Sequence, residues 1–426
     1  MHTLEQLRRG ELAGIQRLDL AADLGEFPDE IFGLADSLEV LNLSGNRLRA
    51  LPHDLSRLHR LKVLFCSDNP FETLPESLGD CPQLEMVGFK SNQLCGVPAA
   101  ALPARLRWLI LTDNRIENLP SELGERPRLQ KLMLAGNRLS ALPQSMAGLH
   151  QLELLRIAAN RLETLPDWLL ELPRLAWLAY AGNPGSDRAE AAALASHPQA
   201  PIPRSQLEVG ELLGQGASGL IHRARWSERE VAVKLFKGQM TSDGLPHSEM
   251  AACLSAGRHP QLLPVIGPLQ QQPGQPDGLL LELLDPRFSV LAGPPSLASC
   301  TRDCYGPEQR FDSEQVLALA NGVAGALAHL HERGILHGDL YAHNLLVAGR
   351  DCRLSDFGAA SFFAPNSAQG AALQRLESRA FGILLEELLQ RCEAPAAHLL
   401  SLAADCQQAD TLQRPPSAEI VERLRG

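Results

Sequence analysis

Five short stretches in the second half of the chain carry the residue types that phosphate chemistry needs. In order they are Gly214-x-Gly216-x-x-Gly219, Val231-Ala232-Val233-Lys234, Glu249, His337-Gly338-Asp339 with Asn344, and Asp356-Phe357-Gly358. Glycines let backbone amides approach an anion with no side chain in the way. A lysine supplies the countercharge, and it needs a carboxylate to hold its pose. Glu249 is the candidate, in the helix-forming segment His247–Leu254. No Gly-Lys-Ser/Thr follows the glycines, which excludes a Walker loop. A glycine triplet alone is a weak signal; five stretches in this order point to one phosphate-handling site.

The elements that must position these groups can be read around them. Leu213–Ile221 has apolar flanks that predict a strand, a turn and a strand, and Val231–Lys234 alternates as a strand should. Gly278–Leu284 is a further apolar run. His329 and His331 are expected on a helix surface before His337, with no catalytic part for them or for His343. The segment Pro286–Arg310, rich in Pro, Ser and Cys, has no physical account from sequence alone.

With these motifs in this order, residues 205–426 resemble the protein kinase family, a two-lobed α+β fold. The resemblance implies ATP and Mg²⁺ as cofactors and assigns a part to each residue. Asp339 would be the catalytic base, Lys234 with Glu249 would clamp the α- and β-phosphates, and Asn344 with Asp356 would ligate the metal. Gly214, Gly216 and Gly219 would cover the phosphates. Leu213, Ile221, Ala232 and Leu346 would enclose the adenine, whose edge would meet backbone around Glu282 and Leu284. The implied activity is transfer of the γ-phosphate to a protein hydroxyl, of Ser/Thr type. A nucleotide-binding scaffold that transfers slowly or not at all is the alternative.

Three departures bear on that choice. Gly338 stands where the family has the arginine of His-Arg-Asp, so a phosphorylated activation loop would have nothing to read it. Tyr341 stands where Ser/Thr kinases have a lysine that touches the γ-phosphate. Only 18 residues separate Gly358 from Glu377, with no Ala-Pro-Glu, and Arg414 thereby lacks its expected carboxylate mate. An unusual acceptor is expected.

The first half follows a different rule. Repeats begin at Ile15, Leu38, Leu61, Leu84, Leu106, Leu129, Leu152 and Leu175, 23 residues apart with one interval of 22. Each carries L-x-x-L-x-L-x-x-N, with Asp23 at the asparagine position of the first, and most continue with Leu-Pro-x-x-Leu-x-x-Leu. Eight units at constant period predict a leucine-rich-repeat solenoid of α/β class. Its leucines would point inward, and each asparagine would be buried to satisfy backbone groups at the turn. Residues 1–14 would cap the stack. Outward positions on the strands are apolar, and Phe65, Trp108, Ile110, Met133 and Trp177 mark a face for a protein partner, or for the chain's own second domain. The expected organisation is repeats over 1–184, a stiff proline-rich linker over 185–204, and the second domain over 205–426.

Composition sets outer bounds. A net charge of −11 argues against nucleic acid as a partner. No apolar run is long enough for a bilayer, and the first residues lack a signal peptide's apolar stretch, so no membrane association is expected. Nine scattered cysteines are read as reduced thiols in a cytoplasmic protein. Five lysines against many arginines point to a GC-rich, bacterial genome.

Overall fold

The computed structural model describes residues 2–216, 218–238 and 240–425. Its contacts divide into two compact units, Met1–Leu172 and Pro173–Gly426.

In the first unit a short helix, α1 (Leu4–Arg8), is closed by a capping box on Thr3 and Gln6. Seven three-residue strands follow: β1 (Arg17–Asp19), β2 (Val40–Asn42), β3 (Val63–Phe65), β4 (Met86–Gly88), β5 (Trp108–Ile110), β6 (Lys131–Met133) and β7 (Leu154–Arg156). Each of the first six pairs in parallel with the next, in the register of the repeat. The Leu-Pro half of most repeats returns as a short helical turn with proline at its start, as at Pro75, Pro120 and Pro143. The last such turn is α2 (Asp167–Leu170). Proline suits that position because its fixed φ matches the turn and its missing N–H is not needed there.

The asparagines do what their spacing implies. Asn46 donates from Nδ2 to the carbonyls of Leu20 and Leu43, and its Oδ1 accepts from the amides of Ala22 and Leu24. Asn69, Asn92, Asn114, Asn137 and Asn160 repeat the pattern one unit further each time, with Asn92 half-buried where the others are buried. Each therefore joins the bends of two successive repeats, satisfying carbonyls and amides that the turning chain leaves unpaired. On the strand face, Phe65, Trp108 and Ile110 are half-buried and Met133 is buried. The Phe65 ring lies over Gly88, where a Cβ would come within 2.5 Å of it. The Lys131 ammonium sits 4.3 Å from the centre of the Trp108 ring.

The second unit begins at Pro173, just before the eighth repeat, and its first strand is β8 (Trp177–Ala179). It continues into α3 (Pro184–Ser196). The stretch read as an extended connector is thus mostly helix. Asn183 and Ser186 form a capping box, proline occupies the first turn, and the alanine-rich remainder propagates it. Only the short tract after His197, where Pro198, Pro201 and Pro203 fall, lies outside the helix.

Five antiparallel strands form the next sheet: β9 (Leu207–Gln215), β10 (Gly219–Trp226), β11 (Arg229–Phe236), β12 (Val265–Pro268) and β13 (Gly278–Glu282), in the order β12-β13-β11-β10-β9. Helix α4 (Pro246–Ala256) packs on it, with Leu254 among Ala232, Phe236, Leu279 and Leu281.

The remainder is mostly helical. Strand β14 (Ser289–Val290) precedes α5 (Ser313–Glu332), which is N-capped by Asp312. Strands β15 (Ile335–Leu336), β16 (Leu345–Ala348), β17 (Asp351–Leu354) and β18 (Ser361–Phe362) pair as β14-β16-β17 and β15-β18. Helices α6 (Ala368–Leu389), α7 (Ala397–Cys406) and α8 (Ser417–Arg425) complete the unit. Fourteen residues of α6 are buried, so this is the central helix of the unit. No helix among the described residues is long and apolar enough to cross a membrane.

Candidate functional site

The glycine stretch forms the turn between β9 and β10, with Gly214 opposite Ile221 and Ile221 opposite Lys234 on the next strand. Gly219 is glycine for an internal reason: a Cβ there would lie 2.6 Å from the Leu235 carbonyl and 3.3 Å from the Lys234 side chain. Gly214 and Gly216 differ, because a Cβ at either would meet nothing among the described residues within 4 Å. Their bare backbone leaves room for something from outside. Lys237, which sequence reasoning passed over, donates to the Gly216 carbonyl at 2.9 Å and ties the turn to β11.

The Lys234 ammonium makes a direct ion pair with Glu249 of α4; Glu249 is buried and Lys234 is half-buried. Burial alone would lower the Lys234 pKa, but the Glu249 and Asp356 carboxylates outweigh it and raise it, so the ammonium keeps its charge. Burial pushes the Glu249 carboxyl up, with Lys234 pulling against it. Its second oxygen, Oε2, is buried and lies 4.0 Å from where a Cβ of Gly358 would be. Lys234, Glu249 and the Asp356–Gly358 turn therefore converge. Asp356 holds a left-handed backbone, φ 57°, and its Oδ1 accepts the Gly358 amide at 3.1 Å.

The 337–344 loop closes the other side. Asn344 Nδ2 donates to both the carbonyl and Oδ2 of Asp339 at 2.8 Å. That bond fixes the amide so that its own oxygen faces away from the carboxylate. The Asn344 carbonyl accepts the Ser355 amide at 3.0 Å and hydroxyl at 2.9 Å. The His337 ring is bonded to the Ser355 carbonyl and lies 5.2 Å from the Phe357 ring. Asp339, Asn344 and Asp356 are thus linked through one hydrogen-bonded pair of loops.

The expected apolar enclosure is reproduced in part. Ile221 and Ala232 share one cluster with Leu279, Leu281 and Leu283. Leu346 lies on β16, half-buried, and Leu213 is 44% exposed. The Glu282 amide already donates to the Pro264 carbonyl at 3.0 Å, so this N–H is committed within the sheet.

Several residues that sequence reasoning misplaced support this loop. His331 is buried, not on the helix surface, and bonds Ser417 at 2.9 Å and Glu377 at 2.8 Å. Glu377, also buried, accepts the amides of His337 at 3.2 Å and Gly338 at 2.7 Å. The apolar spacing of α5, from Val323 to Leu327 to Leu330 and His331, already put this histidine on the inner face.

The eighth repeat supplies more. Trp177, read as part of a partner face, is only 1% exposed. Its ring stacks on Tyr341 at 4.2 Å and 8°, and its indole N–H donates to the Leu340 carbonyl at 2.9 Å. The amides of Tyr180 and Ala181 donate to Ser361 Oγ, and the Tyr180 hydroxyl donates to the Phe362 carbonyl. Gly338 adopts φ 73°, and a Cβ there would lie 2.6 Å from the carbonyls of Leu178 and Ala359. No side chain fits, which is why arginine is missing. Arg414 has backbone carbonyls for partners, those of Pro173 and Gln408, and Nη1 has none among the described residues. Burial and the nearby Arg379 guanidinium push its pKa down to about 10.

The 286–310 segment also acquires a part. Gly293 and Cys304 exchange two backbone hydrogen bonds that close it into a loop. Asp303, next to that closure, accepts the His343 amide at 3.1 Å and pairs with its ring Nδ1 at 2.7 Å. The hydrogen bond and charge of Asp303 raise the His343 pKa against the opposing effect of burial.

Comparison with known proteins fits this geometry. The family model for protein tyrosine and serine/threonine kinases matches residues 207–375, from the start of β9 into α6. Leucine-rich-repeat models match 36–79, 104–162 and 127–184. CBL-interacting protein kinase 22 of Oryza sativa subsp. japonica is 30% identical over 189 residues, 42% of this chain and 42% of that protein. The serine/threonine-protein kinase CTR1 of Arabidopsis thaliana is 27% identical over 215 residues, 44% of this chain and 24% of that protein. A putative mitogen-activated protein kinase kinase kinase 7-like protein of Drosophila melanogaster is 29% identical over 209 residues, 44% of this chain and 50% of that protein. The matches span half or less of these relatives' lengths. These organisms lend no support to the bacterial origin read from the arginine bias. The chain carries N-terminal leucine-rich repeats and a C-terminal protein kinase domain.

Proposed function

We propose that the chain is an ATP-dependent serine/threonine protein kinase, with a two-lobed catalytic domain and a repeat solenoid that selects its partner. The observation that carries this reading is the convergence of the Lys234–Glu249 ion pair with the Asp356 turn, beside the loop in which Asn344 holds Asp339. Such a set has the makings of a phosphate clamp, a cation site and a proton acceptor in one place.

The groups present fit a magnesium nucleotide. One carboxylate and one amide oxygen, Asp356 and Asn344, are few, as suits a cation that takes its other oxygens from water and phosphate. The open space at Gly214 and Gly216 suits approach of phosphate oxygens to the backbone. Magnesium, when bound, would neutralise charge on the transferring phosphoryl group.

The chain's own residues account for the rest. Lys234, kept charged by Glu249 and Asp356, would bind the α- and β-phosphates. Asp339 would orient the acceptor hydroxyl and take its proton. The hydroxyl oxygen forms a bond to the γ-phosphorus, the bond from that phosphorus to the β,γ-bridging oxygen breaks, ADP leaves, and Asp339 passes the proton to solvent. The 18 residues between Gly358 and Glu377 leave a shortened activation segment, which favours a narrow range of acceptors. Phe65, Trp108, Ile110 and Met133 would line the partner face, in a protein that works in the cytoplasm.

The test is Asp339→Ala in the full chain, assayed with labelled ATP and Mg²⁺ beside Lys234→Met. Loss of a catalytic base should lower transfer by roughly 10²–10⁴-fold, with nucleotide affinity little changed. Undiminished transfer in Asp339→Ala would overturn the assignment. Tyr341, uncharged where a lysine is expected, favours a second reading as a nucleotide-binding scaffold. Wild-type chain that binds ATP but labels nothing would establish it.

A further inference from the structure

Three of the four residues between Asp339 and Asn344 are held by groups from elsewhere in the chain. Leu340 gives its carbonyl to the Trp177 indole at 2.9 Å. Tyr341 lies parallel to the Trp177 ring, 4.2 Å between centres. His343 follows Tyr341 at 5.0 Å, and its amide and ring both bond Asp303, whose side chain is fully buried. The order is Trp177, Tyr341, His343 and Asp303, three rings ended by a carboxylate. The Arg302 guanidinium lies 5.6 Å from the outer face of this stack, at the Trp177 ring.

Ordinary core packing would not require this arrangement. The indole N–H and both Asp303 oxygens are spent on backbone and side-chain groups of one short loop, which itself contributes a single 3₁₀ turn, Ala342–Asn344. That loop must keep a carboxylate and an amide in register, and an error of about 1 Å in such a site costs rate on the order of 10²-fold. Few residues after Gly358 are available to brace it. The bracing comes instead from the eighth repeat and from the 286–310 segment, two parts of the chain to which the kinase reading assigns no catalytic work.

We propose that Trp177 and Asp303 are positioning residues for phosphoryl transfer, clamping the Asp339–Asn344 loop from its two ends in place of a longer activation segment. The proposal rests on the kinase reading above, and one arm of its test does not.

In the full chain, Trp177→Ala and Asp303→Asn should each lower kcat by about 10- to 100-fold while KM for MgATP stays within about threefold, since nucleotide is held by Lys234 and the glycine turn. Trp177→Phe keeps a ring over Tyr341 and should recover most of the loss. The second arm is amide hydrogen exchange in the same proteins without nucleotide. Protection of residues 337–344 should fall at least tenfold in Trp177→Ala and recover in Trp177→Phe, with β9–β11 unchanged. Unaltered kcat together with unaltered exchange in the loop would overturn the proposal. So would exchange rising equally across the unit, which would mark Trp177 as a fold determinant only. If the wild type transfers no phosphate, the kinase reading fails, and the exchange arm still decides whether Trp177 holds the loop.

Discussion

Restoring the arginine that the family resemblance leads one to expect should damage the protein. Gly338 has φ 73°, a conformation in which a residue with a Cβ pays about 1–2 kcal/mol. The added carbon would also sit 2.6 Å from two carbonyl oxygens, those of Leu178 and Ala359, well inside contact distance on both sides. Neither oxygen is at the end of a flexible side chain, so the backbone itself must yield, at roughly 1–3 kcal/mol for overpacking. Gly338→Ala should therefore lose roughly 2–5 kcal/mol, and Gly338→Arg at least as much. The strain falls on the Gly338 amide, which donates to Glu377 at 2.7 Å, so the damage should spread into α6. Urea unfolding of the full chain, with exchange mass spectrometry to assign the transition that exposes residues 335–346, measures it. A Gly338→Arg protein as stable as the wild type would refute the reasoning, because the two carbonyls would then not be where the argument puts them.

Two further perturbations test the buried carboxylates. Glu377 accepts from two amides and His331; burial would raise its pKa, but the hydrogen bond and charge of His331 outweigh it and hold it below the usual value. Glu377→Gln turns one acceptor into a donor facing donors and should cost about 3 kcal/mol at pH 7. Because that pKa is depressed, its contribution is present above the unfolded-state pKa, and the gap between wild type and variant should narrow as pH falls through the folded value. A constant gap in acid-range denaturation would contradict this. Glu387 goes the other way: burial, then Asp303, push it up to about 7, against the hydrogen bond from Tyr305. Its favourable effect is complete below the unfolded pKa of 4.5 and is lost as pH rises toward 7, a fall of up to about 3 kcal/mol. Glu387→Gln, which can still accept from Tyr305, should remove that slope. Equal pH dependence of the two melting temperatures would show that burial does not raise the Glu387 pKa.

What the sequence made legible is what short-range geometry fixes. The asparagine of each repeat had to be buried because the period placed it at a bend whose amides and carbonyls need partners, and the hydrogen bonds of Asn46 and Asn137 are those partners. Lys234 and Glu249 could be paired on paper because a strand and the next helix each present one charged residue inward. The proline-rich join was misread for a reason visible in retrospect. Proline density drew attention from Asn183-Pro184-x-Ser186, a helix start, and from the alanines after it. His331 was likewise on the apolar stripe of its helix, but its polarity was given more weight than its position. Asp303 left no such trace, since an irregular segment has no period, and its partner lies 40 residues on.

Trp177 shows where the division between legible and hidden falls. Strand alternation correctly turned its side chain away from the repeat's own leucines, yet nothing local could say that Leu340, 163 residues later, would cover it. The same holds for Arg414, whose missing carboxylate was noticed, and whose substitute is the carbonyl of Pro173, 241 residues earlier. Arg379 takes the next carbonyl, that of Arg174. These contacts share a direction: residues 173–181 satisfy groups of the 337–344 loop, the strand after Asp356 and two buried guanidiniums. A buried guanidinium is costly to leave bare. The eighth repeat therefore belongs to the second unit as its first element, and the sequence period that ends at Asn183 does not mark the boundary between the units, which falls before Pro173.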